Sequence, residues 1–166
     1  MQKYTSKNTS VNTTKLPAVY NKVCWDKLPR GTIVFDWGCG KDIKLTSKTL
    51  IKYGLMFVGY DPNWIAEEHN KIALECLDIT DVFVCSNVLN VIDDDDVIRD
   101  ICDIASKHEY FFITVYEGDQ SGVGRQSKED CYQRNEKIKA YVKFFYTDKD
   151  VYVKKGVITN RPDLIK

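Results

Sequence analysis

No run of apolar residues in this chain approaches the ~20 needed to span a bilayer. The opening Met1-Gln2-Lys3-Tyr4-Thr5-Ser6-Lys7-Asn8 also lacks the apolar segment of a secretion signal. Neither a membrane protein nor a secreted one is expected. The six cysteines, at 24, 39, 76, 85, 102 and 131, form no C-x-x-C pair, and they make no cluster with histidine at metal-ligand spacing. Scattered thiols of this kind point to a reduced cytoplasm and to no bound metal. Net charge is absent as well, since 24 Lys and Arg balance 24 Asp and Glu. The balance hides a polarity: six basic residues face one acid in residues 1–30, seven face seventeen in 31–124, and eleven face six in 125–166. Basic ends brought beside a pocket would form a positive rim for an anionic substrate. Lysines scattered over a solvated surface are the plain alternative.

What is present is a strand, glycine turn, helix, strand, acid pattern. The apolar run Ile33-Val34-Phe35 enters Asp36-Trp37-Gly38-Cys39-Gly40, and a second run, Met56-Phe57-Val58-Gly59-Tyr60, ends in Asp61. In a parallel sheet, glycines at a strand's carboxyl end leave the backbone bare where such sheets bind ligands, and an acid at the tip of the neighbouring strand can grip a ribose diol. A dinucleotide fingerprint wants a third glycine, but position 43 is Ile43. Pyrophosphate seeks positive potential, whereas Asp36 and Asp42 bracket this loop. S-adenosylmethionine, which has no phosphate and carries an ammonium and a sulfonium, fits better.

On these residues the chain resembles the class I S-adenosylmethionine-dependent methyltransferases, whose first motif is acid-x-Gly-x-Gly and whose second ends in a ribose-binding acid. Asp36, Gly38, Gly40 and Asp61 match, and residues 81–92 (DVFVCSNVLNVI) look like the family's fourth strand and the turn after it. The turn at Val88 to Ile92 looks like that of small bacterial and phage members. The resemblance covers roughly residues 14–117 and implies a single Rossmann-like α/β domain over 14–166; residues 1–13, polar and rich in Thr, Ser and Asn, are expected to form a flexible arm before it. It implies a mostly parallel sheet with helices on both faces and a C-terminal antiparallel hairpin, read here at 151–160. The third-strand region is abbreviated, since only twenty residues separate Asp61 from Val82. Leu74 to Leu77 is the remnant expected there, with Asp78 as partner for the adenine amino group. The cofactor set implied is Asp36, Gly38, Cys39, Gly40, Asp61, Pro62, Asn63, Asp78, Ser86 and Asn87, with Trp64 offering adenine an apolar face.

Hydrophobic spacing predicts helices over about 17–27, 43–53 and 128–145, and another opened by Asp93 to Asp96, whose acids complement its dipole. A continuous apolar strand is expected from Tyr110 to Tyr116. The glycine-rich loop from Gly118 to Ser127 leads to Arg125, Gln126, Tyr132 and Arg134, a polar set suited to reading a base or sugar edge.

Methyl transfer from a sulfonium is an in-line displacement that needs alignment and exclusion of water more than a dedicated base. His108 is expected at the far end of its strand, and His69 has no fixed place. Asn87, Asn90, Tyr116, Glu117 and Asp119 are the candidates to orient an acceptor. The Pro-Pro-Tyr type turn of amino-directed DNA enzymes is replaced by Ser86-Asn87-Val88-Leu89, the proline-cysteine nucleophile of cytosine enzymes is missing, and there is no room for a separate target-recognition domain. The expectation is a minimal methyltransferase acting on a nucleic acid or nucleotide. A small-molecule acceptor, or a non-catalytic cofactor-binding module working through a partner protein, are the alternatives.

Overall fold

The computed structural model describes residues 2–8 and 14–166. Its principal elements, in chain order, are β1 (Ile33–Trp37), α1 (Lys44–Ile51), β2 (Met56–Tyr60), α2 (Glu67–Glu75), β3 (Val82–Ser86), α3 (Asp95–Ser106), β4 (Tyr110–Thr114), β5 (Arg125–Lys128), β6 (Cys131–Gln133), β7 (Tyr152–Lys154) and β8 (Val157–Thr159). Six strands form one sheet in the order β2-β1-β3-β4-β8-β7, and β5 and β6 pair separately. β1 is parallel to β2 and β3, β3 is parallel to β4, and β8 then runs antiparallel to both β4 and β7. The result is a mixed α/β fold whose parallel strands end together at one edge.

The central strands are continuous apolar runs because both their faces are covered. One face carries Phe35, Phe83, Phe111 and Ile113 against α2, α3 and a 3-10 segment at Ile138–Phe144. The other carries Val34, Val84, Phe112 and Val157 against α1 and two 3-10 turns, Ala18–Asn21 and Trp25–Lys27. α1 stops where expected, at Gly54 with φ +73°. Asp94 is the N-cap of α3, accepting from the Asp96 and Val97 amides, so one of the four acids caps as read. At the hairpin tip Lys155 and Gly156 both have positive φ, as a two-residue turn with the strands' twist requires. Among the described residues no helix is long and apolar enough to cross a membrane.

Three expected elements differ. The helix over 17–27 is two 3-10 turns, because Val23 leaves the helical path to bridge Ile165. Leu74 to Leu77 is not a strand: it closes α2 and enters a 3-10 turn at Leu77–Ile79, which leaves β2 at the sheet edge. The helix over 128–145 is replaced by the β5–β6 hairpin, whose turn residue Asp130 has φ +55°, followed by the 3-10 segment. Ile138, Tyr141 and Phe144 are the buried positions of that segment, and a spacing of three suits three residues per turn.

Trp25 fixes the first covering turn on the sheet. Its ring stacks on Tyr20 at 5.5 Å and meets Phe112 edge-on at 5.8 Å, while Nε1 donates to the Tyr20 carbonyl. Trp25→Ala should cost about 3–5 kcal/mol in urea denaturation, within the range for emptying a buried aromatic site.

Candidate functional site

A cavity of about 510 Å³ opens at the carboxyl ends of β1, β2 and β3. Its floor is the glycine loop, Trp37 to Gly40; one wall is Tyr60 to Trp64, and the other combines Ser86 to Val88 with Val97, Asp100, Ile101 and Ile104 of α3. Among the described residues no lysine, arginine or histidine lines it.

Backbone hydrogen bonds hold the loop in place. The Gly38 and Cys39 amides donate to the Tyr60 carbonyl at 2.7 and 3.1 Å, and the Gly40 amide donates to Asp61 Oδ2 at 2.9 Å. Asp61 Oδ1 accepts the Asn63 amide at 2.9 Å. Asn70 of α2 in turn grips the Asp61 backbone, accepting its amide at 3.0 Å and donating to its carbonyl at 2.9 Å. Each carboxylate oxygen thus has one protein donor and keeps a lone pair for a ligand hydroxyl.

Asp36 lies behind this loop, outside the lining, and is 1% exposed. The Tyr20 hydroxyl donates to Oδ2 at 2.6 Å, and Oδ1 is buried with no partner. Burial pushes the carboxyl up to about 7, the Tyr20 hydrogen bond holds it down, and the charge of Asp61 adds to the rise.

The described part of the N-terminal arm, residues 2–8, is seated across the cavity mouth, and residues 9–13 of the arm lie outside the described residues. Gln2, Thr5 and Ser6 line the cavity. The Thr5 amide and hydroxyl donate to the Asp130 carboxylate, and the Ser6 amide donates to the Asp130 carbonyl at 3.0 Å. Ser6 Oγ bonds the Val91 carbonyl at 3.0 Å, Asn63 Nδ2 donates to the Thr5 carbonyl at 3.1 Å, and Tyr4 stacks on Tyr132 at 5.4 Å. This segment therefore joins the wall after β2 to the β5–β6 hairpin.

Of the expected cofactor residues, Gly38, Cys39, Gly40, Asp61, Pro62, Asn63, Ser86 and Asn87 line the cavity, as does Trp64. Asp78 does not join them. It sits in the 3-10 turn before β3, at the amino edge of the sheet in the field of His108. His108 itself is buried between Thr80 and the Ile104 carbonyl, far from the cavity as expected. His69 lies on α2, outside the lining.

Among the acceptor-side candidates, Asn87 alone lines the cavity, with exposed side chain and φ +57°. Asn90 is buried, donating to Gln133, with Oδ1 unpartnered. Tyr116 is 61% exposed, Glu117 accepts the Ile138 amide, and Asp119 pairs with Arg125 at 3.2 Å. Asp119 is held below the usual carboxylate range, chiefly by Ser121. Arg134, expected to meet substrate, is 8% exposed and committed to Asp95 at 2.6 Å, Glu136 at 3.0 Å and the Ile92 carbonyl. It is a structural tie. Arg125 and Gln126 are exposed on β5, and Tyr132 carries the arm. The sequence reading missed the arm residues and the α3 face. The latter was visible as Val97, Ile101 and Ile104 at helical spacing.

With this geometry in hand, comparison with known proteins adds no identity: no protein-family model matches the sequence, and no curated protein does.

Gly38 is required by packing as well as by backbone. A Cβ there would lie 2.3 Å from Val88 Cγ2, and its φ is +77°. Gly38→Ala should lower stability by about 1–3 kcal/mol, and adding Val88→Ala should restore only the steric part in thermal melts. Asp130→Ala, which releases the arm, should speed tryptic cleavage after Lys3 and Lys7 while the core fragment stays resistant.

Proposed function

We propose that this protein binds S-adenosylmethionine in the cavity and transfers its methyl group to a nucleic-acid or nucleotide acceptor. The observation that carries the reading is the Asp61 clamp on the glycine loop, facing a cavity that no basic side chain among the described residues lines. Such a site suits a nucleoside with a cationic tail and repels pyrophosphate. The sheet order, β2-β1-β3-β4-β8-β7, adds support by analogy, being the family's order without its third strand.

The cofactor, when bound, supplies an electrophilic methyl on a sulfonium. Asp61 accepts the ribose hydroxyls with its remaining lone pairs. Trp64, Tyr60, Val97 and Ile101 give the adenine an apolar slot in place of a polar contact from Asp78. Asp36, with an unpartnered buried oxygen behind the loop, favours positive charge above it. The arm excludes water from one side of the mouth. Asn87, at the rim with its backbone in the left-handed region, is placed to orient the acceptor atom. No general base is required of the chain.

Calorimetry with S-adenosylmethionine tests the first half. Asp61→Ala should weaken binding roughly tenfold to hundredfold, the value of charged hydrogen bonds of about 1.5–3 kcal/mol. Because a cationic ligand favours ionised Asp36, wild-type affinity should rise as pH increases through about 7 and then level off. Without ligand the sign reverses. The folded carboxyl holds its proton more tightly than the unfolded one, so its contribution to stability is full below its ordinary value near 3.8 and is lost as pH rises to about 7. Asp36→Asn should flatten both profiles. Transfer of labelled methyl into separated fractions of a cell extract tests the second half: label in nucleic acid supports the acceptor class, label only in small molecules overturns it, and no label with intact binding favours the non-catalytic module.

A further inference from the structure

The two basic ends of the chain meet in space. Val23 bridges Ile165, the Lys166 amide donates to the Lys22 carbonyl at 2.9 Å, and Lys22 Nζ donates to the Lys155 carbonyl at 2.8 Å. Lys154 Nζ donates to the Pro162 carbonyl at 3.0 Å. Lys155 Nζ in turn donates to the Lys166 backbone oxygen at 2.5 Å, so the ammonium groups of Lys22, Lys154 and Lys155 are each held by a backbone oxygen. None of Lys15, Lys22, Lys154 and Lys155 pairs with an Asp or Glu side chain among the described residues.

The register puts this cluster at the edge where the cavity opens. β8 is antiparallel to β4, with Ile158 opposite Ile113, so the Lys155-Gly156 turn projects beyond the carboxyl end of β4. Lys22 follows Tyr20, whose hydroxyl reaches Asp36 behind the glycine loop. Lys15 is exposed two residues before Pro17, which lines the cavity itself. The lysines thus run from the cavity rim out to the β7–β8 turn. The exposed ring of Tyr152 shares the Lys154 face of β7, two residues away. On the far side of the cavity, the acids at the start of α3 and Asp100 supply the opposite sign.

We propose that this edge binds the phosphate backbone of a single nucleic-acid strand, with Lys15, Lys22, Lys154 and Lys155 along the track and Tyr152 as a stacking platform, so that a base is delivered to the rim at Pro17 and Asn87. The role given to the delivered base rests on the methyl-transfer reading; the binding surface does not. Lysines with no carboxylate side chain beside them suit backbone contact without sequence choice, because an ammonium is a compact point charge. An exposed aromatic among them suits a strand whose bases are free to stack.

Fluorescence anisotropy with a labelled single-stranded oligonucleotide, as DNA and as RNA, tests it. Four neutralised phosphates predict an affinity loss of about fifty-fold between roughly 50 and 200 mM salt. Lys15→Glu with Lys154→Glu and Lys155→Glu should weaken binding at least about tenfold and flatten the salt slope, whereas Lys71→Glu on α2 should change neither. The matching alanine variants repeat the test if charge reversal disturbs folding. Absence of binding at the lower salt, binding that ignores the three substitutions, or preference for polyglutamate or anionic vesicles over the oligonucleotide would overturn the proposal. Calorimetry with S-adenosylmethionine on the same proteins separates the two readings: if the wild type takes the oligonucleotide but not the cofactor, the surface stands and the methyl-transfer reading falls.

Discussion

The carboxyl edge of this sheet depends on one carboxylate. Asp61 ends an edge strand, yet it is 7% exposed, because it is enclosed by the amides of Gly40 and Asn63 and by the side-chain amide of Asn70. Those bonds tie the loop after β1, the tip of β2 and the helix after β2 into one unit. A buried amide left without its acceptor would cost about 1–3 kcal/mol. The clamp also explains how the fold tolerates a short connection between β2 and β3. In a longer sheet an outer strand would brace the β2 tip; here α2 does it through Asn70, whose Nδ2 also reaches the Ile65 carbonyl.

The electrostatics of the edge follow from the same arrangement. Asp36 and Asp61 lie at the ends of adjacent strands, where two negative charges conflict: burial pushes the Asp36 carboxyl up to about 7 against the Tyr20 hydrogen bond, and the charge of Asp61 adds to the rise. A cation entering the cavity resolves that conflict and an anion worsens it. The acids at the start of α3 lie across the cavity from the lysine flank at Lys22 and Lys155. The cavity lining and the lysine flank thus differ in the sign of their charged side chains.

The glycine loop, the acid at the β2 tip and the parallel strands were legible in the sequence because each is fixed by local chemistry: continuous apolar runs for doubly covered strands, glycine where φ is positive. What failed to show was long-range. Arg134 reads as a free cation beside Gln133 and Asn135, and its partner Asp95 lies 39 residues away. Residues 128–145 carry apolar spacing that suits a helix, but Asp130 and Asn135 adopt left-handed conformations that end it, and neither announces this in sequence. Asp78 was placed by analogy with a strand that the chain lacks. Residues 2–8 have no hydrophobic pattern, and their seat is made by polar groups on the β5–β6 hairpin, after β3 and beside Asp61.

That seat divides the cavity mouth. The described arm residues span from Asn63 to Asp130 and Tyr132, while Pro17 and Asn87 line the cavity with no hydrogen bond to residues 2–8. The arm's bonds are backbone and small-hydroxyl contacts at exposed or part-buried positions, the class that opens locally without global unfolding. Those bonds join the described arm residues to the walls on both sides of the cavity. Local opening of these arm residues would widen the cavity without touching the Asp61 clamp, whose bonds come from Gly40, Asn63 and Asn70.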